Sequence, residues 1–588
     1  MKLPLQDYVE LLAKYLRPQR NRVILLAALI FGGIGLQLLS PQIVRGFIDT
    51  AQAFGANQQA EVTAALRRDG LLFLLVTLTA QVVRLSGAYV TEDVKWRATN
   101  WLRNDLSDHC MRLDMSFHNE YTPGAMIERV DGDVQELSEF MSQFVLRVLA
   151  NALLLVGILI LLYREQWQIG LAFTLYSVVM FTILIRTVKI GVPFWEAERE
   201  ASSQMFGYIE EWLNGTEDIR ASGGIEYVLD RLRRAIYSLF LATRKAFFAG
   251  MLTWGLSGML FTVNLALALG IGAYFLQAGA ITIGTVYLIM SYSNTLQRPI
   301  QQLSRQLQDL QAATASIGRI RELMALESAV PDAPNAVQLP AGPLRVEFDN
   351  VSFGYNAAEP VLRHVDFTLA PGRVLGLLGR TGSGKTTITR LLFRLYDPQT
   401  GIIRLGEHNL RGAPLDSIRQ RVGMVTQEVQ LFQASVRDNL TFFNPAIDDE
   451  HILEALEVLG MGDWYRSLES GLDTRLDAGG RSLSAGQAQL LAFTRVFLKD
   501  PGLVILDEAS SRLDPVTEYL IERAIDRLLH NRTGIIVAHR LATVQRADEI
   551  MILQDGQIIE HGNRIALAAR SDSRFAQLLR TGMEEVLA

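Results

Sequence analysis

The sequence predicts an α-helical transmembrane domain with about six spans, followed by an α/β domain. Three observations lead to this expectation. Apolar residues of the 588-residue chain concentrate in its first half, in runs long enough to cross a bilayer. Residues 328–343 have the proline-rich, small and polar composition of a linker. Beyond them, short alternating runs and a strand–glycine loop–helix pattern are typical of an α/β fold. We therefore expect domains at 1–327 and 344–588, joined by the linker 328–343.

Composition narrows the class of protein. Hydrophobic residues make up 49% of the chain and charged residues 20%, which is apolar for a soluble enzyme and indicates a membrane protein. A net charge of -6 provides no overall basic field, so a nucleic-acid partner is not expected. The single cysteine, Cys110, excludes a disulfide within the chain, and its charged neighbours indicate reducing, cytosolic surroundings.

Apolar runs of spanning length define the membrane domain. The connections between spans two and three and between spans four and five are long and rich in Lys and Arg, which indicates a cytosolic location. An even number of spans then leaves the second domain in the cytoplasm as well. We expect a multi-pass protein of the plasma (inner) membrane, embedded in the lipid bilayer. The runs lie at about 23–44, 71–90, 145–163, 169–185, 251–275 and 281–296.

Each long connection has the pattern of a helical hairpin with a short tip. Pro123 and Gly124 break the helical pattern of the first connection at 114–124, and three glycines break the second at 214–224. We expect these tips to contact the domain that follows the spans.

A phosphate-binding loop follows a short buried strand in the second domain. The pattern G-x-x-x-x-G-K-S/T is complete between the apolar run 374–378 and a helical pattern that begins at Thr387. Its glycines let backbone N–H groups face phosphate oxygens, Lys385 neutralises charge on the outer phosphates, and the Thr386 hydroxyl reaches Mg²⁺. The loop therefore predicts binding of ATP and Mg²⁺. The residues expected to hold the nucleotide are Gly379, Arg380, Thr381, Gly382, Ser383, Gly384, Lys385, Thr386 and Thr387.

Two adjacent carboxylates end another apolar strand. The run 503–506 leads directly into Asp507 and Glu508. Asp507 is predicted to hold the Mg²⁺ shell. Glu508 is predicted to accept a proton from the water that attacks the γ-phosphate, a general-base contribution of about 10²–10⁴-fold. Two acids at a strand end also suit a solvated turn, but the complete phosphate loop upstream favours the catalytic interpretation.

Further motifs, in their order along the chain, carry a family resemblance. A signature segment at 484–487 stands between the phosphate loop and the acidic strand end, and His539 follows the apolar run 535–538. This ordered set resembles the ATP-binding cassette (ABC), and the preceding spans resemble those of an ABC exporter half-transporter. The resemblance implies an ATPase coupled to transmembrane movement of substances. It also implies that two cassettes enclose two ATP molecules head to tail.

The resemblance assigns roles to individual residues. Tyr355 matches the aromatic residue that stacks on adenine. Gln427 matches the residue that reports Mg²⁺ and the γ-phosphate to the membrane helices, and His539 matches the switch that contacts the γ-phosphate. The expected catalytic residues are thus Glu508 and His539, and the expected metal ligands are Thr386, Gln427 and Asp507.

The signature segment is expected to reach the nucleotide of a partner chain. Ser484 and the backbone N–H groups near Gly486 can begin a helix that faces an anion, and Gln487 completes the segment. However, Ala485 stands where the family has glycine, which puts a methyl group where backbone and phosphate approach closely.

Two further departures from the family pattern are Ala478 in place of a glutamate and Arg512 in place of a small residue. The chain thus carries a full set of residues for its own ATP site but an altered signature for its partner's site. This mismatch predicts a heterodimer with a non-identical half-transporter, with a homodimer as the alternative.

The predicted function is ATP-driven export of a substrate by alternating access. An ATP-gated channel or a regulatory membrane subunit with the same fold is the alternative. The sequence does not identify the transported substrate.

Overall fold

The chain forms two compact units. The computed structural model describes residues 13–52, 59–143, 149–332, 337–356, 359–426, 429–477, 483–507, 515–538 and 544–581. The first unit comprises Met1–Met111 and Pro123–Leu326, and the second comprises Arg112–Thr122 and Glu327–Ala588. The tip of the first hairpin, Arg112–Thr122, thus belongs to the second unit. The boundaries drawn at 327 and 344 stay predictions.

Long helices build the first unit. Two of them continue well past any membrane thickness, since α2 has 54 residues and α9 has 53. The bounds are α1 (Arg20–Gln52), α2 (Gln59–Arg112), α3 (Met115–Glu120, in the second unit), α4 (Pro123–Ile127), α5 (Asp133–Gln143), α6 (Ala150–Glu165), α7 (Trp167–Asn214), α8 (Thr216–Ala221), α9 (Ile225–Gln277) and α10 (Ile283–Met324).

The core of the first unit lies where α6, α7, α9 and α10 meet. Ile158, Phe173 and Tyr292 are among its buried side chains. The Tyr292 hydroxyl donates a hydrogen bond to the carbonyl oxygen of Leu38 at 2.8 Å, and Gln42 Nε2 donates to that hydroxyl at 3.1 Å. These bonds satisfy polar groups where water is scarce, and they join α1 to α10.

Membrane-spanning character is clear for part of this unit. Within the described residues, four helices are long and apolar enough to cross a membrane: Ala13–Gln52, Glu61–Arg112, Trp167–Asn214 and Ile225–Gln277. The predicted runs 145–163 and 281–296 lie partly on α6 and α10. The predicted helical membrane domain is therefore confirmed as a class, and the count of about six spans stays a prediction.

Ten strands and nine helices are described in the Glu327–Ala588 part of the second unit. The strands are β1 (Val346–Phe353), β2 (Leu362–Leu369), β3 (Val374–Gly379), β4 (Thr400–Leu405), β5 (His408–Asn409), β6 (Val422–Val425), β7 (Leu503–Asp507), β8 (Thr533–Val537), β9 (Glu549–Gln554) and β10 (Gln557–Asn563). The helices are α11 (Lys385–Leu392), α12 (Leu415–Arg421), α13 (Val436–Thr441), α14 (Asp449–Val458), α15 (Gly462–Arg466), α16 (Ala485–Lys499), α17 (Pro515–Leu529), α18 (Arg564–Ala569) and α19 (Arg574–Thr581).

These strands form two sheets. The larger has the order β10-β9-β3-β8-β7-β6, and all its pairings are parallel except β10 with β9. The smaller is antiparallel, with the order β2-β1-β4-β5. Strand β3 is buried along its whole length. A continuous apolar strand of this kind is typical of a parallel sheet covered on both faces, so the predicted α/β class is confirmed.

The first hairpin tip packs within the second unit, as the sequence analysis expected. Asp114 caps α3 by accepting a hydrogen bond from the backbone N–H of Ser116 at 2.9 Å. The same carboxylate accepts from the backbone N–H of Ala329 at 2.8 Å. Met115 packs against an apolar core of this unit, and Phe117 is buried. The helix cap and these apolar contacts fix the tip. The second tip, α8, lies in the first unit.

Candidate nucleotide site

The phosphate loop joins the buried strand β3 to helix α11. Lys385 is the first residue of α11 and is only 6% exposed. Its ammonium group donates hydrogen bonds to the carbonyl oxygens of Gly379 at 2.6 Å and Arg380 at 3.0 Å. A lysine is thus held across its own loop, with its charge at the N-terminus of a helix that already favours anions.

Left-handed backbone shapes the loop. Gly382 has φ +82° and Gly384 has φ +107°, conformations that side chains with a Cβ rarely adopt. At Gly384 a Cβ would also lie 2.6 Å from Cδ2 of Leu362. Glycine backbone of this kind lets peptide N–H groups of a loop face a phosphate.

The residues of the loop fit a triphosphate. The Ser383 hydroxyl oxygen is buried and has no hydrogen-bond partner among the described residues, which leaves a donor for a ligand oxygen. Arg380 and Thr381 are exposed, Thr386 is half-buried and Thr387 is buried. Hydroxyl and carboxylate oxygens, as on Thr386 and Asp507, are the donors that Mg²⁺ accepts.

Asp507 lies at the same edge of the sheet as the loop. It ends β7 and pairs with Val537 of β8, which in turn pairs with Leu377 of β3. The three strands are parallel, so their carboxyl ends meet at one edge, where ligands of open α/β sheets bind. The structure therefore brings Asp507 and the phosphate loop to the same edge.

Three predicted site residues, Gln427, Glu508 and His539, lie outside the described residues. They follow strands β6, β7 and β8, whose last residues are Val425, Asp507 and Val537. Their roles stay predictions. The same holds for the departures at Ala478 and Arg512, which are also outside the described part of the chain.

Tyr355, the residue expected to contact adenine, is partly exposed and belongs to an aromatic cluster. Its ring meets those of Phe353 and Tyr396 edge to face, with centroids 5.2 Å apart in both pairs. Its hydroxyl lies 3.2 Å from the hydroxyl oxygen of Thr387 and accepts a hydrogen bond from Arg390 at 3.1 Å. Tyr355 is thus in direct contact with the helix that begins in the phosphate loop.

The signature segment forms the N-terminus of α16. Ser484 is its N-cap and accepts a hydrogen bond from the backbone N–H of Gln487 at 3.2 Å, and the Gln487 side chain accepts from the backbone N–H of Ser484 at 2.9 Å. This capping box positions the first turn. Ala485 is exposed. Gly486 is buried, and a Cβ there would lie 1.9 Å from Cγ2 of Thr517.

Helices α11 and α16 cover opposite faces of the large sheet. Ile388 and Leu391 of α11 share an apolar core with Leu377 of β3. The next residue of that strand, Leu378, belongs to a second core with Phe493 of α16. Side chains alternate between the faces of a strand, so the two helices occupy different layers. Within one chain, Ser484 and Lys385 therefore belong to different layers of the unit.

Sequence comparisons identify the family. Residues 23–300 match the family model described as ABC transporter transmembrane region, and residues 362–511 match the one described as ABC transporter. YfiC of Bacillus subtilis, an uncharacterised ABC transporter ATP-binding protein, is 32% identical over 467 residues, which cover 79% of this chain and 76% of YfiC. The chain belongs to the ABC transporter family.

Other relatives of this ABC transporter include a fatty acid transporter and a lipid A-core flippase. A fatty acid ABC transporter ATP-binding/permease protein of Mycobacterium tuberculosis is 27% identical, over 95% of this chain and 94% of its own. An ATP-dependent lipid A-core flippase of Photorhabdus laumondii is 28% identical, over 84% and 86%. A bacterial Atm1-family ABC exporter with ATP bound has the same fold, with a TM-score of 0.80, 23% identity and coverage of 96% and 98%.

The family fixes the general activity of this ABC transporter. It is a multi-pass membrane protein and an exporter half-transporter that binds ATP and couples its ATPase to transport. An exporter chain with one nucleotide-binding domain works as a dimer.

Three residues near the ABC transporter's nucleotide site could not be predicted from the sequence. They are Tyr396, which contacts Tyr355, Arg390, which bonds it, and Asn119 of the first hairpin tip, whose amide donates to the Tyr396 hydroxyl at 2.5 Å. Asn119 and Tyr396 are 277 residues apart, and no short motif links them.

Proposed function

We propose that this chain is one half of a heterodimeric exporter that works by alternating access in the plasma (inner) membrane, with its nucleotide-binding domain in the cytoplasm. ATP closes the two cassettes, the hairpin tips transmit closure to the spans, and hydrolysis resets them. ATP drives this cycle only because it binds the closed pair better than the open one. The domains are assigned to 1–327 and 344–588, with the linker 328–343 between them.

The meeting of the phosphate loop and Asp507 at one sheet edge carries the proposal. Lys385 would hold the outer phosphates and Tyr355 the adenine, with Mg²⁺ bound by Thr386, Asp507 and Gln427. The ion neutralises phosphate charge when it is bound. Glu508 would accept the proton of the attacking water, and His539 would contact the γ-phosphate.

The heterodimer follows from the signature that the chain lends to its partner. Ala485 is exposed at the first turn of α16, where the residue is free to face another chain. Its methyl group leaves less room for a phosphate to approach the backbone at this position. A partner with glycine at this position would complete the ATP site of this chain. The site that receives Ala485 would then hydrolyse ATP weakly or not at all.

The proposed substrate class is a lipid-like amphiphile. Two of the relatives act on a fatty acid and on lipid A-core, both of which carry apolar chains and an anionic group. Fatty acids and lipids are therefore the first compounds to test for stimulation of ATP hydrolysis by the purified complex.

Expression of the chain alone, and together with a second half-transporter that has the glycine signature, tests the proposal. Copurification and higher ATP hydrolysis in the mixed complex are expected. The change Ala485→Gly should raise hydrolysis at the site that receives this signature. A stable homodimer with two equally active sites and normal transport would exclude the heterodimer. ATP-dependent ion conductance without substrate movement would favour a channel instead.

A further inference from the structure

We propose that Tyr396 is a positioning residue that holds Tyr355 for the nucleotide base and links that base to the first hairpin tip through Asn119. The link is separate from the one expected through Gln427. It rests on the proposed function, which assigns Tyr355 to adenine.

Three aromatic rings, those of Phe353, Tyr355 and Tyr396, form the cluster in which Tyr355 is held in position. Tyr396 is 6% exposed and Phe353 is 4% exposed, whereas Tyr355 is 42% exposed. The rings of Phe353 and Tyr396 lie 5.5 Å apart, and each meets Tyr355 at an angle of 84°. Two buried rings thus set the plane of the third by edge-to-face contacts. The exposed part of Tyr355 is left for a base.

The Tyr355 hydroxyl ties the same ring to the phosphate-loop helix. It lies 3.2 Å from the hydroxyl oxygen of Thr387, directly after Thr386, and accepts from Arg390 at 3.1 Å. The Arg390 guanidinium carbon also stands 5.8 Å from the centre of the Tyr355 ring. A shift of the ring on base stacking must therefore alter contacts on both sides, with α11 and with Tyr396.

A hydrogen bond connects the hairpin tip to this cluster. Asn119 Nδ2 donates to the hydroxyl oxygen of Tyr396 at 2.5 Å. Asn119 lies on α3, whose position is fixed by the Asp114 cap and by the buried side chain of Phe117. Tyr396 therefore contacts both the base-binding ring and the tip, and its ring and its hydroxyl carry separable parts of the link.

Two variants of Tyr396 separate these parts. Tyr396→Leu removes the ring and should weaken ATP binding about tenfold. It should not weaken the binding of tripolyphosphate, because tripolyphosphate has no base to stack. Tyr396→Phe keeps the ring and should weaken ATP binding much less than Tyr396→Leu does, because it removes only the bond to the tip. Tyr465→Phe is the matched control, because Tyr465 packs against the other core of the second unit. Binding is measured by titration calorimetry on the assembled transporter.

Hydrogen exchange of the tip amides, 115–121, measures the link itself. In the wild type, ATP should slow this exchange more than tripolyphosphate does at equal occupancy. Tyr396→Phe and Asn119→Leu should each abolish that difference, and the double variant should add nothing further, because both remove the same bond. Equal effects of the two ligands in the wild type, or an unchanged difference in both variants, would overturn the proposal.

Tyr355→Leu separates this inference from the proposed function. If Tyr355→Leu does not weaken the binding of ATP relative to that of tripolyphosphate, the assignment of Tyr355 to adenine is wrong. If it does weaken ATP while Tyr396→Leu does not, only the positioning role of Tyr396 is wrong. If Tyr396→Leu misfolds and binds neither ligand, hydrogen exchange in Tyr396→Phe and Asn119→Leu still tests the link.

Discussion

The ammonium group of Lys385 lies 2.6 Å from the carbonyl oxygen of Gly379, at the opposite end of the same phosphate loop. The contact holds the ammonium group inside the loop, at the start of α11. A triphosphate bound there can replace a neutral carbonyl with charged oxygens, which form stronger hydrogen bonds with an ammonium group.

Replacing Lys385 should therefore impair nucleotide binding. Lys385→Ala is expected to weaken ATP binding about 10- to 100-fold, since a hydrogen bond to a charged group contributes about 1.5–3 kcal/mol. Titration of the purified complex with ATP measures the change, and thermal unfolding confirms that the variant is folded. Wild-type affinity in a folded variant would show that Lys385 does not hold the phosphates.

The two neighbouring signature positions should respond differently to small changes. Gly486→Ala forces a methyl group against Thr517 and should destabilise the second unit by about 1–3 kcal/mol. Ala485→Gly, at an exposed first turn, should cost less than about 1 kcal/mol. Denaturant unfolding of both variants measures this. Equal losses of unfolding free energy would indicate that the Thr517 side chain moves to make room for the extra methyl group.

Asp114 should stabilise the hairpin tip in a pH-dependent way. Burial acts to raise the pKa of Asp114, but hydrogen bonds from Ser116 and from the backbone of Ala329 outweigh it and lower the pKa below its usual value. Because the folded pKa is below the unfolded value of about 3.9, the stabilisation is complete above that value and is lost as the pH falls through the folded pKa.

Asp114→Ala should accordingly cost about 1 kcal/mol at pH 7, as for a lost helix cap, and less at pH 3, which is below the unfolded pKa. Asp114→Asn is the matched control, since it keeps a capping oxygen without the charge and should show little dependence on pH. Unfolding of each variant at both pH values provides the comparison. A loss that is equal at pH 7 and pH 3 would mean that the charge of Asp114 plays no part.

The orientation in the membrane is testable with a single reactive cysteine. Gly55 falls in the first connection expected outside the cell, beyond the described residues. Burial leaves Cys110 6% exposed and raises the pKa of its thiol, so this cysteine should react slowly. In a Cys110→Ser background, Gly55→Cys should react with an impermeant maleimide in intact cells. Labelling only after the cytosolic side is exposed would reverse the assignment.

Local patterns sufficed for much of the fold and of the site. The phosphate loop, strand β3 and Asp507 could be predicted because each depends on residues adjacent in the chain, with a spacing that the chemistry itself requires. The apolar runs likewise predicted the membrane helices, since a bilayer imposes a minimum length.

Contacts between distant residues could not be predicted. Nothing in the sequence indicates that Asn119 meets Tyr396, because 277 residues separate them and the contact depends on how the hairpin tip packs. The buried position of Gly486 was also missed. The sequence predicts that backbone N–H groups near Gly486 begin a helix facing an anion, but it does not indicate that a Cβ at Gly486 would lie against Thr517.

ATP turnover of the assembled transporter with Glu508→Gln is the decisive measurement, because Glu508 is the proposed general base of the site that this chain provides. ATP should still bind and be retained, while steady-state hydrolysis should fall by about 10²–10⁴-fold at that site. Glu407→Gln, an exposed glutamate in the turn between β4 and β5, is the control and should hydrolyse ATP normally. Undiminished hydrolysis in Glu508→Gln would contradict the account and mean that another group activates the water.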